Sequence, residues 1–471
     1  MGRATLGGRH AALGPIRAGI VEYSPRARPQ HALAAGLGRR SSPPTSNPET
    51  EVAPISAKLL PLPWWFVLGA LLVAPVRPAE VAVEIARDLA SPTGPGSLAP
   101  SLAPTGRGIA LTWLEPYAGK PGDVSLRVAF LEDASADEPR WSEPVTVVRG
   151  GSFFANWADF PALVEGPGGE LIVHWLHMLG EGAYAYGAGL ARSRDGGRSW
   201  EELGLLHDDE SATEHGFVSY VPLSDGVQAF WLDGRAMADD GPMGLRTTRL
   251  EQGEPAASTL LDERVCECCQ TDAALAAGGP VVVYRDRSEQ EVRDIALIRR
   301  HGDGWSAPVR VGADDWTIPG CPVNGPAVAA RGELVVVVWF TGASQRPKVQ
   351  AAVSRDGGVS FAAPIVVDAV RPTGRVDVVL AGRTAWLSWL GRTEEGTTVL
   401  LRALDLRTNP ATLGEQRRLG GSSEARSSGF PRMAVSGDRL IVAWVDVEAA
   451  GGVRTAWLPL SASTVSASSD R

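Results

Sequence analysis

The sequence predicts an all-β fold, a β-propeller of four-stranded blades, because a unit of about fifty-five residues repeats along the chain. Each unit has a short strand, a turn containing Gly, and an apolar strand that ends at an aromatic residue. These aromatic residues lie 62, 56, 53, 55, 50 and 55 residues apart and are Trp113, Trp175, Trp231, Tyr284, Trp339, Trp389 and Trp444. Two further short strands follow in the clearer units, which completes the strand count of a propeller blade.

Seven units predict seven blades, and six blades is the alternative if the weakly marked first unit is not a full blade. An irregular β-sandwich is the alternative fold, but seven aromatic residues in register argue against chance spacing. The last unit has only three clear strands. We therefore expect residues 80–89, EVAVEIARDL, to supply its missing outer strand and to close the ring.

The segments on either side of the repeats set the predicted domain boundaries. Residues 1–57 have no apolar period, so we expect a disordered or mis-assigned N-terminal extension. Residues 58–79 contain an uncharged, largely apolar run, which is typical of a signal peptide, with an uncleaved membrane anchor as the alternative. The propeller is predicted over 80–462, and 463–471 form a disordered tail.

Charge excludes some classes of partner. The chain carries a net charge of −9, and residues 1–79 hold nine of its 45 basic and three of its 54 acidic residues, which leaves −15 for the remainder. An acidic domain of this kind is a poor candidate for binding nucleic acid. We expect an exported protein, periplasmic or extracellular, that is a monomer and touches a membrane only through 58–79 if that segment is uncleaved.

Two units carry a specific motif between their third and fourth strands. The segments SRDGGRSW and SRDGGVSF both fit Ser-x-Asp-x-Gly-x-x-aromatic, the Asp-box, also called the BNR repeat. The residues of the two motifs are Ser193, Asp195, Gly197, Trp200, Ser354, Asp356, Gly358 and Phe361. In such a turn the carboxylate accepts backbone N–H bonds and Gly supplies a positive φ. With these motifs the chain resembles the sialidase superfamily over roughly residues 90–460.

The polar residues of the sequence gather in two classes of loop that share one face of a propeller. These are the lead-in loops, which precede the inner strand of each blade, and the turns from second to third strand. The predicted ligand-binding residues are His177, His207, His215, Arg235, Arg285, Arg287, Asn324 and Arg432, and the predicted catalytic residues are Glu214, Asp233 and Asp286. A mouth of this composition suits a carbohydrate or another small polar ligand, which it binds or hydrolyses. The alternative is that the Asp and Arg residues brace neighbouring loops as ion pairs.

The resemblance implies a sialidase active site, with three arginines on the substrate carboxylate, an acid/base Asp and a Tyr–Glu nucleophile pair. The candidate arginines are Arg235, Arg285, Arg287, Arg375 and Arg432. The Arg-Ile-Pro motif of the family is absent, however, and no Tyr follows Tyr284, so an exo-α-sialidase is disfavoured. Another glycoside hydrolase with a carboxylate pair remains the enzyme hypothesis, and whether the protein is an enzyme stays open.

The four cysteines lie in the lead-in loops of the fourth and fifth units. Cys266, Cys268 and Cys269 occur in VCECCQTD, and Cys321 occurs in IPGCPVNG. We expect a disulfide between Cys321 and Cys268 or Cys269, and no cofactor, because exported cysteines are usually oxidised. One alternative is a soft-metal site for copper or zinc at the four cysteines, in a propeller that is a non-catalytic scaffold or a metal-binding protein. A redox role for the cysteines is the other alternative. The spacing is not the Cys-x-x-Cys of a structural zinc site.

Overall fold

The computed structural model describes residues 86–446 and 451–460, and these residues form a propeller of seven antiparallel sheets. Each sheet has four strands, except that the outer strand of blades three and four is split into two short pieces. The prediction of a seven-bladed, all-β propeller is therefore confirmed. The predictions for 1–57, 58–79 and 463–471 lie outside the described residues.

Six blades follow one another along the chain, and each begins at its inner strand and ends at its outer strand. Blade one comprises Leu98–Thr105, Gly108–Pro116, Val124–Leu131 and Val145–Gly150, and blade two comprises Leu163–Glu165, Leu171–Met178, Tyr186–Ser193 and Glu201–Leu205. Blade three comprises His215–Leu223, Gly226–Asp233, Gly244–Glu251, and the pair Glu254–Pro255 and Thr259–Asp262. Blade four comprises Asp272–Ala276, Gly279–Arg285, Ile295–His301, and the pair Gly304–Trp305 and Val309–Arg310. Blade five comprises Ala327–Arg331, Leu334–Thr341, Lys348–Ser354 and Ile365–Asp368, and blade six comprises Pro372–Ala381, Thr384–Thr393, Gly396–Asp405 and Thr412–Gly421.

Blade seven joins the two ends of the propeller. Its first three strands are Arg432–Ser436, Arg439–Asp446 and Gly452–Pro459, and its outer strand is Arg87–Leu89. That outer strand runs antiparallel to the third, with Asp88 opposite Ala456, and it comes from the segment expected to close the ring. Pairing between the two ends of the domain removes the free sheet edges that an open ring would leave.

The aromatic residues that mark the repeat are the centres of the core. Trp113, Trp231, Tyr284, Trp339 and Trp389 have no measurable exposure. They pack in the apolar clusters between neighbouring sheets, where the β-branched and Leu side chains of the second and third strands meet them. Burial of several such large side chains in every blade explains why the period of the sequence follows them so closely.

The two Asp-box motifs form turns with the same hydrogen bonds. In the first turn Ser193 Oγ donates to Asp195 Oδ1 at 2.8 Å, and the N–H of Gly197, at φ +86°, donates to that hydroxyl at 2.8 Å. The second turn repeats these bonds at 2.6 and 2.9 Å with Ser354, Asp356 and Gly358. Trp200 and Phe361 pack partly buried against the adjacent clusters. The motif thus has a structural role in both blades.

Helix is limited to three short 3₁₀ turns within the described residues, namely Arg235–Asp239, Ala343–Gln345 and Arg426–Ser428. None of the described helices is long and apolar enough to cross a membrane.

Candidate functional site

The inner strands of all seven blades line a central channel with a volume of about 680 Å³. Arg432, a predicted ligand-binding residue, lies in this channel and not among the loop residues of the mouth. Its guanidinium lies 3.4 Å from Asp377 Oδ1 and over the ring of Phe160 at 4.5 Å. Burial raises the pKa of Asp377 to about 6, even though Arg432 acts to lower it. Asp377 also accepts the N–H of Met433 at 2.6 Å, so it ties blade six to blade seven.

Asp233 belongs to a set of carboxylates that accept a hydrogen bond from a core tryptophan. The Trp231 indole donates to Asp233 Oδ2 at 2.8 Å, and Arg235 Nε donates to its Oδ1 at 2.7 Å. Trp113–Glu115 has the same spacing of two residues, and Trp339–Asp314 and Trp389–Asp368 make the same bond with carboxylates that precede the tryptophan by 25 and 21 residues. Asp233 is 2% exposed. Asp233 is therefore a buried carboxylate with both oxygens hydrogen-bonded, as expected for a residue that stabilises the fold. This agrees with the alternative from the sequence, in which the Asp and Arg residues form ion pairs between neighbouring loops.

Two predicted histidines stack beside Asp233. The rings of His207 and His215 are parallel within 11° with centres 4.0 Å apart, and His215 Nε2 lies 3.0 Å from Asp209 Oδ2. Burial, followed by the charge of His215, lowers the pKa of His207 to about 4, so this ring is neutral near pH 7. His177, the third predicted histidine, is half-buried near the end of the second strand of blade two. Among the described residues it takes no part in the contacts of His207 and His215.

The side chains of Arg285 and Asn324 form hydrogen bonds with backbone groups. Arg285 is 1% exposed, and its three guanidinium nitrogens donate to the carbonyls of Asn324, Arg293 and Phe340 at 2.6–3.1 Å. The Asn324 amide oxygen accepts the N–H of Arg375 at 2.7 Å. These bonds join the loops of blades four, five and six. They leave Arg285 no exposed donor of the kind that a substrate carboxylate requires.

Arg287 lies in a four-membered ion network beside the cysteines. It pairs with Glu267 and Glu291, and Arg293 donates to the same two carboxylates at 2.8 Å each. Glu267 is the residue between the first two cysteines, so the network holds that loop against blade four. The neighbouring Asp286 is partly exposed, and burial raises its pKa. Neither Glu267 nor Arg293 was singled out from the sequence, although the position of Glu267 inside Cys-Glu-Cys was a usable signal.

Glu214 is a buried carboxyl group, 4% exposed, that accepts a short hydrogen bond from the Tyr186 hydroxyl. Burial raises the pKa of Glu214 to about 8. The hydrogen bond from Tyr186 acts to lower this pKa, and the negative charges of Asp159 and Glu267 act to raise it. Glu214 is therefore mainly protonated at neutral pH. Tyr186 itself has no exposure and stacks on Phe154 at 4.3 Å.

The three cysteines of the blade-four loop form one buried cluster. Their Sγ atoms all lie within 4.8 Å of one another, and each side chain is 1% exposed. The Sγ atoms of Cys266 and Cys269 are 3.1 Å apart, and Cys321, which is half-buried, contacts Cys268. A disulfide requires an S–S distance of about 2.05 Å. No disulfide joins any of these four cysteines in the described part of the chain, so the expected pairing of Cys321 with Cys268 or Cys269 is not formed.

Burial acts to raise the pKa of the Cys266 thiol. Hydrogen bonds with Cys268 and Cys269, followed by the charge of Arg293, outweigh it and bring that pKa well below its ordinary value. Arg293 Nη1 donates to Cys266 Sγ at 3.3 Å. The thiols of Cys268 and Cys269 have pKa values well above the ordinary one, chiefly because they are buried.

A second group of residues, which we call the mouth cluster, consists of Trp157, Tyr184, Cys321, Arg375 and Arg426. Arg375, at φ +59°, is 9% exposed, and its guanidinium carbon lies 4.8 Å from the ring centre of Trp157. Burial, followed by the charge of Arg426, lowers the pKa of Arg375 to about 10. Tyr184 is close enough to Arg426 and Cys321 for their charges to act on its pKa, which burial raises. Arg375 lies in the inner strand of blade six, and the other four residues come from lead-in loops and strand connections of blades two, five and seven.

Arg375, like Arg285, pairs with no carboxylate among the described residues, but it differs from Arg285 in having acceptors at only one of its three guanidinium nitrogens. Its Nη1 donates only to the carbonyls of Ala425 and Gly429, at 3.1 and 3.2 Å. Within residues 86–446 and 451–460 the structure gives no acceptor to its Nε or Nη2. Arg375 was named in the sequence only as one of five candidates for an arginine cluster. Trp157, Tyr184 and Arg426 were missed, because their loops approach one another only when the ring closes.

No protein-family model matches the sequence, and no curated protein matches it. Among solved structures, the chain is similar to an α-L-arabinanase from Penicillium chrysogenum complexed with arabinobiose, at 13% identity over 81% of this chain and 98% of that chain, with a TM-score of 0.44. It is also similar to an α-L-arabinofuranosidase from Fusarium graminearum complexed with an iminosugar inhibitor, at 13% identity, 81% and 98% coverage and a TM-score of 0.44. A variant of NanB sialidase from Streptococcus pneumoniae gives 11% identity, 80% and 71% coverage and a TM-score of 0.42.

Proposed function

We propose that the protein is a binding propeller whose mouth cluster takes a small polar ligand with a carboxylate, such as a sugar acid. The observation that carries this proposal is Arg375, a buried cation without a carboxylate partner among the described residues. Burying an uncompensated charge is costly, so an arginine in this position gains from an anion that enters from outside. A planar carboxylate would accept charge-assisted hydrogen bonds from the Nε and Nη2 donors of Arg375.

The neighbours of Arg375 define the rest of the ligand. Trp157 presents an aromatic ring beside the guanidinium, Arg426 adds a second cation, and Tyr184 brings a half-buried hydroxyl group. An apolar ring face combined with a few directed polar groups is the composition of small-ligand sites. A sugar acid offers the complementary features, namely a carboxylate, several hydroxyl groups and a ring.

Binding is the better proposal than hydrolysis, because the predicted acids are unsuited to attack a substrate. Glycosidases place two carboxyl groups about 5–9.5 Å apart across the scissile bond. Asp233 has both oxygens bonded inside the core, and Glu214 is buried against Tyr186. Asp286 is the partly exposed member of the three. Incubation with 4-methylumbelliferyl glycosides of neutral and acidic sugars tests this part, and turnover abolished by Asp286→Asn would contradict it.

Isothermal titration of the full chain with glucuronate, galacturonate and N-acetylneuraminate, each beside a neutral sugar, tests the binding proposal. We expect one of the acids to bind and Arg375→Met to weaken it by about tenfold to hundredfold, the value of a charge-assisted hydrogen bond. The matched control is Arg439→Met, which removes an arginine stacked on Trp457 in the last blade, 3.8 Å from the ring centre. Equal affinity for acidic and neutral sugars, or an unaffected Arg375→Met, would refute the role of Arg375.

We also propose that the protein is exported, on the strength of the apolar run in residues 58–79. Export would give the mouth access to extracellular glycans. Cell fractionation of the full chain, with N-terminal sequencing of the mature protein, tests this point. A cytosolic protein that keeps residues 58–79 would contradict it.

A further inference from the structure

We propose that Cys266, Cys268 and Cys269 bind a soft monovalent metal ion, Cu(I). The ligand set is geometric: three Sγ atoms from four consecutive residues lie within 4.8 Å of one another, each in a side chain that is 1% exposed. No other group of three or more His, Cys, Asp or Glu residues in the described part of the chain brings its ligand atoms together in this way. The copper proposal does not depend on the sugar-acid proposal.

The spacing of the sulfur atoms fits metal coordination better than a disulfide. Metal–sulfur bonds of about 2.3 Å would place three trigonal sulfurs about 4 Å apart. The observed separations are 3.1 Å for Cys266–Cys269 and 4.0 Å for Cys266–Cys268, both well beyond a covalent S–S bond.

The number and type of the ligands select the ion. Thiolates prefer soft ions, chiefly Cu(I) and Zn(II). Zinc is almost always four-coordinate in protein sites, whereas this cluster has three members. Cys321 contacts Cys268 but lies outside the group whose sulfurs are all within 4.8 Å of one another. A three-thiolate set therefore favours Cu(I).

The surroundings compensate the charge that the bound ion would leave. Binding replaces the thiol protons, which leave to solvent, and three thiolates with one Cu(I) carry a net charge of −2. Arg293, 3% exposed on its side chain, donates to Cys266 Sγ at 3.3 Å and is itself held by Glu267 and Glu291. Arg285, buried close by, also acts on Cys269 through its charge. Hydrogen bonds and charges of this kind orient metal ligands and tune their affinity.

Cys321 gives the site a route to solvent. It is half-buried, belongs to the mouth cluster, and contacts Cys268 of the buried cysteine cluster. An ion that enters at the mouth would meet Cys321 first and then pass to the buried thiols by ligand exchange. Cys321→Ser is therefore expected to slow loading while it leaves the equilibrium stoichiometry at one ion per chain.

The test is an anaerobic titration of the reduced full chain with Cu(I), against a competing chelator, with metal counted by mass spectrometry. We expect one Cu(I) per chain and at least a hundredfold weaker binding after Cys266→Ser, Cys268→Ser or Cys269→Ser. Met243→Leu is the matched control, because it removes a buried sulfur from the same apolar cluster outside the triangle. Arg293→Met should weaken binding by about tenfold to hundredfold. Thermal melting of each variant shows whether it is folded.

Several outcomes would overturn the proposal. Zn(II) held at one per chain more tightly than Cu(I) would replace the assignment of the ion. If the fully reduced wild-type protein binds neither ion, the proposal of a metal site at these cysteines is wrong, regardless of the results for the variants. Protein isolated with bridges among the four cysteines that a reductant cannot open without unfolding would restore the disulfide alternative. The titration of sugar acids is independent of each result, so failure of the copper site leaves that proposal untouched.

Discussion

Glu214→Gln is the substitution whose effect follows most directly from the structure. The carboxyl group is 4% exposed, and burial raises its pKa from 4.5 to about 8. Below pH 4.5 the group is neutral in both the folded and the unfolded chain, so it does not change stability. Between pH 4.5 and 8 the unfolded chain releases this proton and the folded chain keeps it. The free energy of unfolding therefore falls as the pH rises through this window.

The magnitude follows from the size of the pKa shift. A shift of one pKa unit corresponds to about 1.4 kcal/mol, so the shift from 4.5 to about 8 costs up to about 5 kcal/mol above pH 8. Glutamine keeps the acceptor for the Tyr186 hydroxyl and cannot ionise. Glu214→Gln is thus expected to match the wild type at pH 4.5 and to exceed its stability at pH 8.5 by several kcal/mol. In a domain of this size that is a rise in Tm of roughly 4–6 °C.

The assay is thermal melting of wild type and variant from pH 4.5 to 8.5, with Glu210→Gln as the control. Glu210 is an exposed glutamate of the same lead-in loop, so its replacement should shift Tm equally little at every pH. A Glu214→Gln variant that is less stable than the wild type at pH 8.5 would refute the reasoning. It would mean that the folded protein stabilises the carboxylate.

Two other substitutions test the structural roles of a buried arginine and of an Asp-box glycine. Arg285→Ala should lower the free energy of unfolding in urea by roughly 3–5 kcal/mol, because it leaves the buried carbonyls of Asn324, Arg293 and Phe340 without a donor. A variant that is as stable as the wild type but binds the ligand more weakly would show that Arg285 belongs to the binding site. Gly197→Ala should lower the free energy of unfolding by roughly 2–4 kcal/mol, since a Cβ there meets the Phe130 ring at 2.7 Å at φ +86°. Gly204→Ala, at φ +105° with no atom within 4 Å of the new Cβ, should lose only about 1 kcal/mol, and equal losses would show that the Phe130 contact is not the cause.

The fold was predictable from the sequence because each blade buries the same kind of residue at the same place. Trp231 and Trp339 sit at equivalent ends of second strands, and both are fully buried, so packing imposes a period on the sequence. The closing strand Arg87–Leu89 was predictable because the last unit lacked a fourth strand.

The candidate site was less predictable, because the role of a polar side chain depends on which groups it bonds in the folded protein. Arg285 and Arg375 look alike in the sequence, yet the first donates to backbone carbonyls around its whole guanidinium and the second keeps unbonded donors. Backbone carbonyls leave no mark on the sequence. Arg375 meets Trp157 from a blade 218 residues earlier in the chain, a separation that only ring closure removes.

The decisive experiment is a crystal structure of the protein with the best-binding sugar acid. We expect the ligand carboxylate at about 2.7–2.9 Å from the Nε or Nη2 atom of Arg375. A carboxylate bound elsewhere, for example in the central channel at Arg432, would contradict it, as would a mouth cluster that stays free of ligand at saturating concentration.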